Sequence, residues 1–78
     1  LPMKTFVFGL RVGDMQKAYP LEAVKNAGSI RETVGTTSVE IYWDEDLETV
    51  RSNVDGIILE PHYWFSWVAA HPNTELYL

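Results

Sequence analysis

Residues 5–14 read Thr-Phe-Val-Phe-Gly-Leu-Arg-Val-Gly-Asp, and this stretch predicts the first β-strand and the turn that follows it. Most of its side chains are aromatic or aliphatic, which suits the pleated surface of a strand. Gly13-Asp14 is a two-residue turn signal, because glycine adopts a positive φ angle without steric cost. We therefore expect a β-hairpin in which residues 15–19 return as the second strand. Gly9, inside the first strand, indicates a bulge or a close backbone approach.

The hydrophobic period changes after this hairpin. Apolar residues recur at three-residue spacing from Leu21 to Ala27, which is typical of one face of a helix. Pro20 suits the first helical turn, and Gly28 provides a left-handed stop. The pattern predicts a short helix over residues 20–27, which packing must hold because two turns are unstable alone in water.

The middle of the chain predicts further strands separated by polar turns. Apolar and polar side chains alternate most clearly in residues 38–44, so that one face would pack and the other would contact solvent. The acidic run that begins at Asp44 lacks the glycine turn and the alternating oxygen ligands of a calcium loop, and is predicted as a solvated hairpin tip. The predicted strands of this region cover residues 29–34, 38–44, 47–51 and 56–60, with turns at 35–36, 44–46 and 53–56.

Residues 63–70 read Tyr-Trp-Phe-Ser-Trp-Val-Ala-Ala and are apolar on nearly every side. Pro61 suits a helix start, and Pro72 disfavours helical backbone at the residue before it. The pattern predicts a second helix over residues 61–70 and a closing strand over 75–78. The predicted fold class is therefore α+β: a small, mainly antiparallel curved sheet or partial barrel with two short helices, about 20–27 and 61–70.

Composition bounds the domain organisation and excludes several classes of protein. The chain has 78 residues, six basic and eleven acidic residues, no cysteine and a net charge of −5. This length predicts one domain over residues 1–78 with a thin core, and the start at Leu1-Pro2 leaves open a piece of a longer protein. The absence of cysteine excludes disulfides and thiolate chemistry. The acidic balance argues against nucleic acid as a partner, and no apolar run reaches the roughly 20 residues of a membrane span.

Four aromatic side chains fall within five positions, at Tyr63, Trp64, Phe65 and Trp67. One interpretation is a helix that covers an open side of the sheet and supplies much of the core, since each buried aromatic side chain removes about 150–250 Å² from water. The other is a recognition surface, because Trp and Tyr dominate binding hot spots. On a helix Trp64, Trp67 and His71 share one stripe and Phe65 points elsewhere. We expect core packing for most of the cluster and an exposed patch for the remainder.

Candidate chemistry is sparse elsewhere in the chain. On one continuous helix, His62 and His71 would lie about 13 Å apart along the axis. Zinc requires its nitrogen ligands about 2 Å from the metal, so this pair alone does not predict a metal site. No dinucleotide-binding, P-loop or serine-hydrolase motif occurs. The sequence therefore assigns no catalytic residue, no metal ligand and no cofactor.

Two stretches, taken in order, resemble one family. The first contains Val-Phe-Gly-Leu-Arg-Val-Gly-Asp at 7–14, Lys-Ala-Tyr-Pro-Leu at 17–21 and Glu-Thr-Val-Gly at 32–35; the second contains Tyr-Trp-Phe-Ser-Trp at 63–67 and His-Pro-Asn-Thr-Glu-Leu-Tyr at 71–77. The chain resembles a prokaryotic domain-of-unknown-function family, number 3179, in a compressed version without the C-P-L-C motif and the long insertion of longer members. The resemblance implies a shared fold nucleus and favours an extracytoplasmic setting. It implies no activity.

The leading functional hypothesis is a non-catalytic binding or interaction module, because the chain is small, rich in aromatic residues and without a catalytic constellation. The alternative is a small-molecule or metal-binding site around the aromatic helix, in an enzyme or a ligand carrier. Its candidate ligand or interface residues are Tyr19, Trp64, Trp67 and His71. A third hypothesis is a homodimer that shares the aromatic helix. A protein partner and a small ligand are both compatible with these hypotheses, and whether the protein is an enzyme stays open.

Overall fold

Seven strands and two helices make up the computed structural model, which describes residues 1–54 and 57–78. The strands are β1 (Phe6–Val12), β2 (Met15–Pro20), β3 (Ser29–Val34), β4 (Thr37–Asp44), β5 (Thr49–Ser52), β6 (Ile58–Tyr63) and β7 (Glu75–Leu76). The helices are α1 (Leu21–Ala27) and α2 (Trp64–Ala70). The predicted α+β class with two short helices is confirmed.

The strands form two sheets. A four-stranded sheet has the order β6-β1-β2-β7, and a three-stranded sheet has the order β3-β4-β5. Neighbouring strands are antiparallel except for β7, which runs parallel to β2 and places Leu76 opposite Ala18. The mainly antiparallel architecture is thus confirmed, and it is open rather than a closed barrel.

The turns around the first helix follow the sequence closely. Gly13 begins the β1–β2 turn with a φ of 57°. Pro20 ends β2 in extended backbone and precedes α1, instead of lying in its first turn. Gly28 ends the helix at a φ of 79°, in the left-handed region that favours glycine.

The second helix begins later than the sequence predicts, because residues 61–63 continue β6. Pro61 is tolerated there since β6 is an edge strand, whose outward side has no ladder bond for a backbone N–H to make. The N-terminal segment fixes the helix start. The backbone N–H of Trp64 donates to the Thr5 carbonyl at 2.8 Å, and that of Phe65 donates to the Met3 carbonyl at 3.0 Å.

Three strand predictions are displaced. The strand predicted at 47–51 is β5, at Thr49–Ser52, and Leu47 is an exposed residue of the turn before it. The closing strand has only two residues, Glu75–Leu76, which pair with Lys17 and Ala18 of β2. The predicted turn at 53–56 and the predicted start of the next strand fall partly on residues 55 and 56, which lie outside the described residues.

Strand β1 is buried on both faces, and this divides the core. The larger cluster lies between the two sheets and α1, and contains Phe8, Leu10, Tyr19, Val24, Ile30, Val34, Val39, Ile41 and Val50. The smaller cluster lies beneath α2, and contains Val7, Ala18 and Trp67. Helix α2 therefore covers the outer face of the four-stranded sheet, and its position decides which aromatic side chains remain exposed.

Candidate functional site

Trp67 is the anchor of α2. Its side chain is fully buried against Val7 and Ala18, and its ring lies directly over Gly9. The indole Nε1–H donates a hydrogen bond to Thr74 Oγ1 at 2.7 Å, so the buried polar end has a partner. Trp64 is half-buried and packs against the same cluster. These two tryptophans hold the helix on the sheet, as the core interpretation predicts.

Both histidines contact the indole of Trp67, from different elements. His71 ends α2 and places its ring centroid 4.2 Å from that of Trp67. His62 belongs to β6, opposite Val7, and its ring centroid lies 5.3 Å from the indole. The two histidines therefore flank α2 as predicted, but they do not share one continuous helix, the condition for the predicted axial separation of about 13 Å. Among the residues that the structure describes, no three His, Asp or Glu side chains are grouped for metal binding.

Tyr19 lies on the opposite face of the four-stranded sheet from Trp67, in the larger core cluster. Its hydroxyl donates to Glu32 Oε1 at 2.6 Å, and Lys17 Nζ lies 3.0 Å from the same oxygen. Its ring stacks on that of Tyr77, with the centroids 5.6 Å apart. Burial, followed by the hydrogen bond to Glu32, raises the pKa of the Tyr19 phenol far above its usual value. The phenol is thus a fixed hydrogen-bond donor between the two sheets.

The four residues predicted as ligand or interface candidates do not form one site. Trp64, Trp67 and His71 lie together around α2. Tyr19 is separated from them by the thickness of the four-stranded sheet. Trp67 and Tyr19 are both fully buried, so a partner that approaches the folded chain does not touch them.

A ladder of exposed aromatic side chains lies at one end of the four-stranded sheet. Phe6 and Tyr63 meet edge to face with their centroids 5.6 Å apart, and Tyr63 stacks on Phe65 at 6.1 Å. These three aromatic residues are each 43–48% exposed, and the neighbouring Met3 is 70% exposed. We call Met3, Phe6, Tyr63 and Phe65 the aromatic surface. The expectation that the aromatic helix supplies much of the core is therefore met by its tryptophans and not by Tyr63 or Phe65.

Sequence reasoning named Tyr63 and Phe65 but missed Phe6 and Met3. A signal for this surface exists in the sequence, because residues 61–74 contain no Asp, Glu, Lys or Arg. Depletion of charge together with aromatic enrichment is typical of the centre of a protein interface. Phe6 itself carries no such signal, since a phenylalanine in a strand is equally compatible with the core.

The surface is open, and no cavity of ligand size lies within the part of the chain that the structure describes. Its exposed groups are two phenyl rings, the Tyr63 phenol and the Met3 thioether, which can pack against apolar surface. Aromatic rings lose little conformational freedom on contact, which favours binding. The arrangement suits contact with another macromolecule.

Comparisons with known proteins identify a family and name no activity. The model of a family described as "Protein of unknown function (DUF3179)" matches residues 1–58. The match ends before α2, so the resemblance of residues 63–77 remains a prediction. No curated protein and no solved structure matches the chain. In the described part of the chain, neither helix has the length and apolar character needed to cross a bilayer.

Proposed function

The chain belongs to the DUF3179 family of proteins of unknown function, and we propose that it is a non-catalytic interaction module whose aromatic surface binds a protein partner. The observation that carries this proposal is the contiguous contact of Phe6, Tyr63 and Phe65, each nearly half exposed. Large apolar patches on soluble domains commonly mark interaction sites. Tyr and Phe supply rigid contact area in such sites.

The way the surface is held supports a binding role. Phe6 also contacts Phe8 of the larger core cluster, with ring centroids 6.4 Å apart. Backbone hydrogen bonds from Trp64 and Phe65 tie the helix start to the N-terminal segment. The exposed rings therefore stand on ordered elements, and ordering them on binding costs little entropy.

The edge strand beside this surface limits how a partner can bind. Pro61 lies in the centre of β6, faces solvent and has no N–H to donate. An added strand would find no donor at that position. We expect recognition through side chains packed on the rings, and not through pairing along β6.

Selection from a random peptide library against the immobilised chain tests the proposal. The double variant Tyr63→Ser/Phe65→Ser serves as the counter-target, and Leu47→Ser, at an exposed apolar residue of the β4–β5 turn, is the matched control. We expect recovered peptides to bind the double variant at least about tenfold more weakly than the parent chain. They should bind the control equally well. Equal binding to all three proteins, or recovery of no peptide, would contradict the proposal.

A small-molecule or metal-binding site around α2 is the second candidate, favoured by the two imidazoles that meet at Trp67. Two imidazoles are common ligands of zinc and copper, which then need further donors. Titration with zinc, followed by histidine NMR signals, tests this candidate. Shifts of both His62 and His71 at stoichiometric zinc would support the metal site, and unchanged signals would exclude a zinc site.

A further inference from the structure

The outward side of α2 carries no charge and has no partner within the described residues. Helix α2 contains neither an acidic nor a basic residue, and Phe65, Ser66, Ala69 and Ala70 on it are exposed. A helix that is apolar on all sides is normally buried on all sides. The buried side is explained by Trp67. The outward side is continuous with the aromatic surface through Phe65.

We infer that a second copy of this chain covers this face, with α2 of one copy packed antiparallel on α2 of the other about a two-fold axis. The inference rests on the proposed function, and specifies the partner of the same surface. An interface of this kind uses one patch twice, so the patch must be complementary to itself. The outward side of α2 meets that requirement.

The complementarity comes from the order of large and small side chains along the helix. Phe65 projects near the start of α2, and Ala69 and Ala70 leave a shallow region at its end. In an antiparallel pair, Phe65 of each copy lies against these alanines of the other. Small residues at the crossing also let two helix axes approach to the lower end of the usual 8–10 Å range.

The exposed area agrees with a reversible dimer. Three aromatic residues, each nearly half exposed, leave roughly 200–350 Å² uncovered. With Met3 and the small residues of α2, the face reaches roughly 500–600 Å² per copy, so two copies would bury about 1,000–1,200 Å². This area lies just under the roughly 1,200 Å² at which stable specific interfaces begin, and is typical of weak, transient association. The net charge of −5 on each copy opposes association at long range, and the uncharged contact face adds no further repulsion.

Sedimentation equilibrium from micromolar to millimolar concentration tests the inference with two matched variants. Ala69→Lys adds one positive charge to each copy, so two charges would meet at the proposed contact. Ala27→Lys adds the same charge at an exposed alanine near the end of α1. Lysine is well tolerated near a helix C-terminus, so both variants should fold. We expect a concentration-dependent dimer for the parent and for Ala27→Lys, and at least a tenfold weaker dimer for Ala69→Lys.

Cross-linking gives an independent readout, because the chain has no cysteine of its own. The single variant Ala69→Cys cannot close an internal disulfide. With oxidised glutathione as the oxidant, it should form a covalent dimer faster than the control Ala27→Cys, whose residue is also exposed. Equal rates, or a monomeric mass at every concentration, would overturn the inference. If the chain does not dimerise but selected peptides still require Tyr63 and Phe65, the proposed function stands without the dimer. If the chain does not dimerise and no such peptide is found, both the dimer and the proposed function are wrong.

Discussion

The ring of Trp67 lies so close to the backbone of Gly9 that a Cβ atom at residue 9 would fall 2.2 Å from ring atom Cζ3. This contact joins β1 to α2, which are far apart in the sequence. It requires that residue 9 have no side chain, because the atoms of a well-packed core cannot approach to that distance. The packing of the smaller core cluster beneath α2 depends on this close contact between Gly9 and Trp67.

Gly9→Ala is therefore expected to lower the free energy of unfolding by at least about 1–3 kcal/mol, the usual cost of overpacking a core. The added methyl group would meet three atoms of a rigid ring at 2.2–2.4 Å, and the ring cannot move without disturbing its hydrogen bond to Thr74. Urea unfolding followed by circular dichroism measures the loss.

The same substitution in a Trp67→Leu background provides the control. Once the ring is absent, Gly9→Ala should cost much less, because the two residues are in direct contact and their effects are then coupled. An equal cost in both backgrounds would show that the penalty comes from the strand itself and not from the ring.

Gly9 also shows how far sequence alone reaches. A glycine inside a strand pattern predicts a close approach, but not the partner, since that depends on where α2 docks. The β1–β2 hairpin, the β3–β4 hairpin and the first helix follow from the local turn residues Gly13, Gly35 and Gly28. The start of α2 does not, because Pro61 suits a helix start and an edge strand equally, and only the pairing of β6 with β1 decides between them.

The exposed aromatic surface was the least predictable feature. Tyr63 and Trp64 are neighbours of similar size, yet one is exposed and the other packs on the smaller core cluster. What separates them is the change from strand to helix between these two residues, which sets the direction of each side chain. A periodicity argument that assumes one continuous helix cannot find that change.

Thr74→Val should destabilise the chain by about 1–3 kcal/mol, because it leaves the buried indole N–H of Trp67 without an acceptor. Valine preserves the shape of threonine, so the loss reports the two hydrogen bonds of the hydroxyl, accepted from the indole and donated to the Glu75 carbonyl at 3.0 Å, and not a cavity. Thr74→Ser keeps the hydroxyl and is expected to retain most of the stability. Thermal and urea unfolding of the three proteins gives the comparison, and equal losses for Val and Ser would contradict this account.

Glu32, on β3 of the three-stranded sheet, contacts Tyr19 and Lys17 on β2 of the four-stranded sheet and so links the two sheets. Glu32→Ala removes the acceptor of the Tyr19 hydroxyl and the partner of Lys17, whose side chain is only 15% exposed. We expect a loss of about 2–3 kcal/mol in the free energy of unfolding, since two enclosed polar groups lose their partner together.

The control for Glu32 is the ion pair between Arg31 and Glu40, at 3.2 Å, in which the arginine side chain is 75% exposed. Exposed pairs contribute about 0–1 kcal/mol, so Arg31→Ala should have little effect. Urea unfolding of both variants decides the comparison. A loss for Arg31→Ala as large as that for Glu32→Ala would mean that enclosure of the Glu32 cluster is unimportant.

Asp44 makes the stability of the β4–β5 hairpin depend on pH. Its Oδ1 accepts the backbone N–H groups of Leu47 and Asp46, each at 3.0 Å, and its Oδ2 lies 3.4 Å from Arg51 Nη1. The hydrogen bond from Leu47, followed by the contact with Arg51, holds the pKa of Asp44 below its usual value. A carboxyl with a lowered folded-state pKa stabilises the chain above its unfolded pKa, about 3.9, and this contribution disappears as pH falls through the folded value.

Asp44→Asn should therefore be less stable than the parent at neutral pH, and its stability should converge with that of the parent in strong acid. Glu45→Gln, the same change of charge at the exposed neighbour, is the control in urea unfolding across this pH range. A difference between parent and Asp44→Asn that persists undiminished in acid would contradict the assignment.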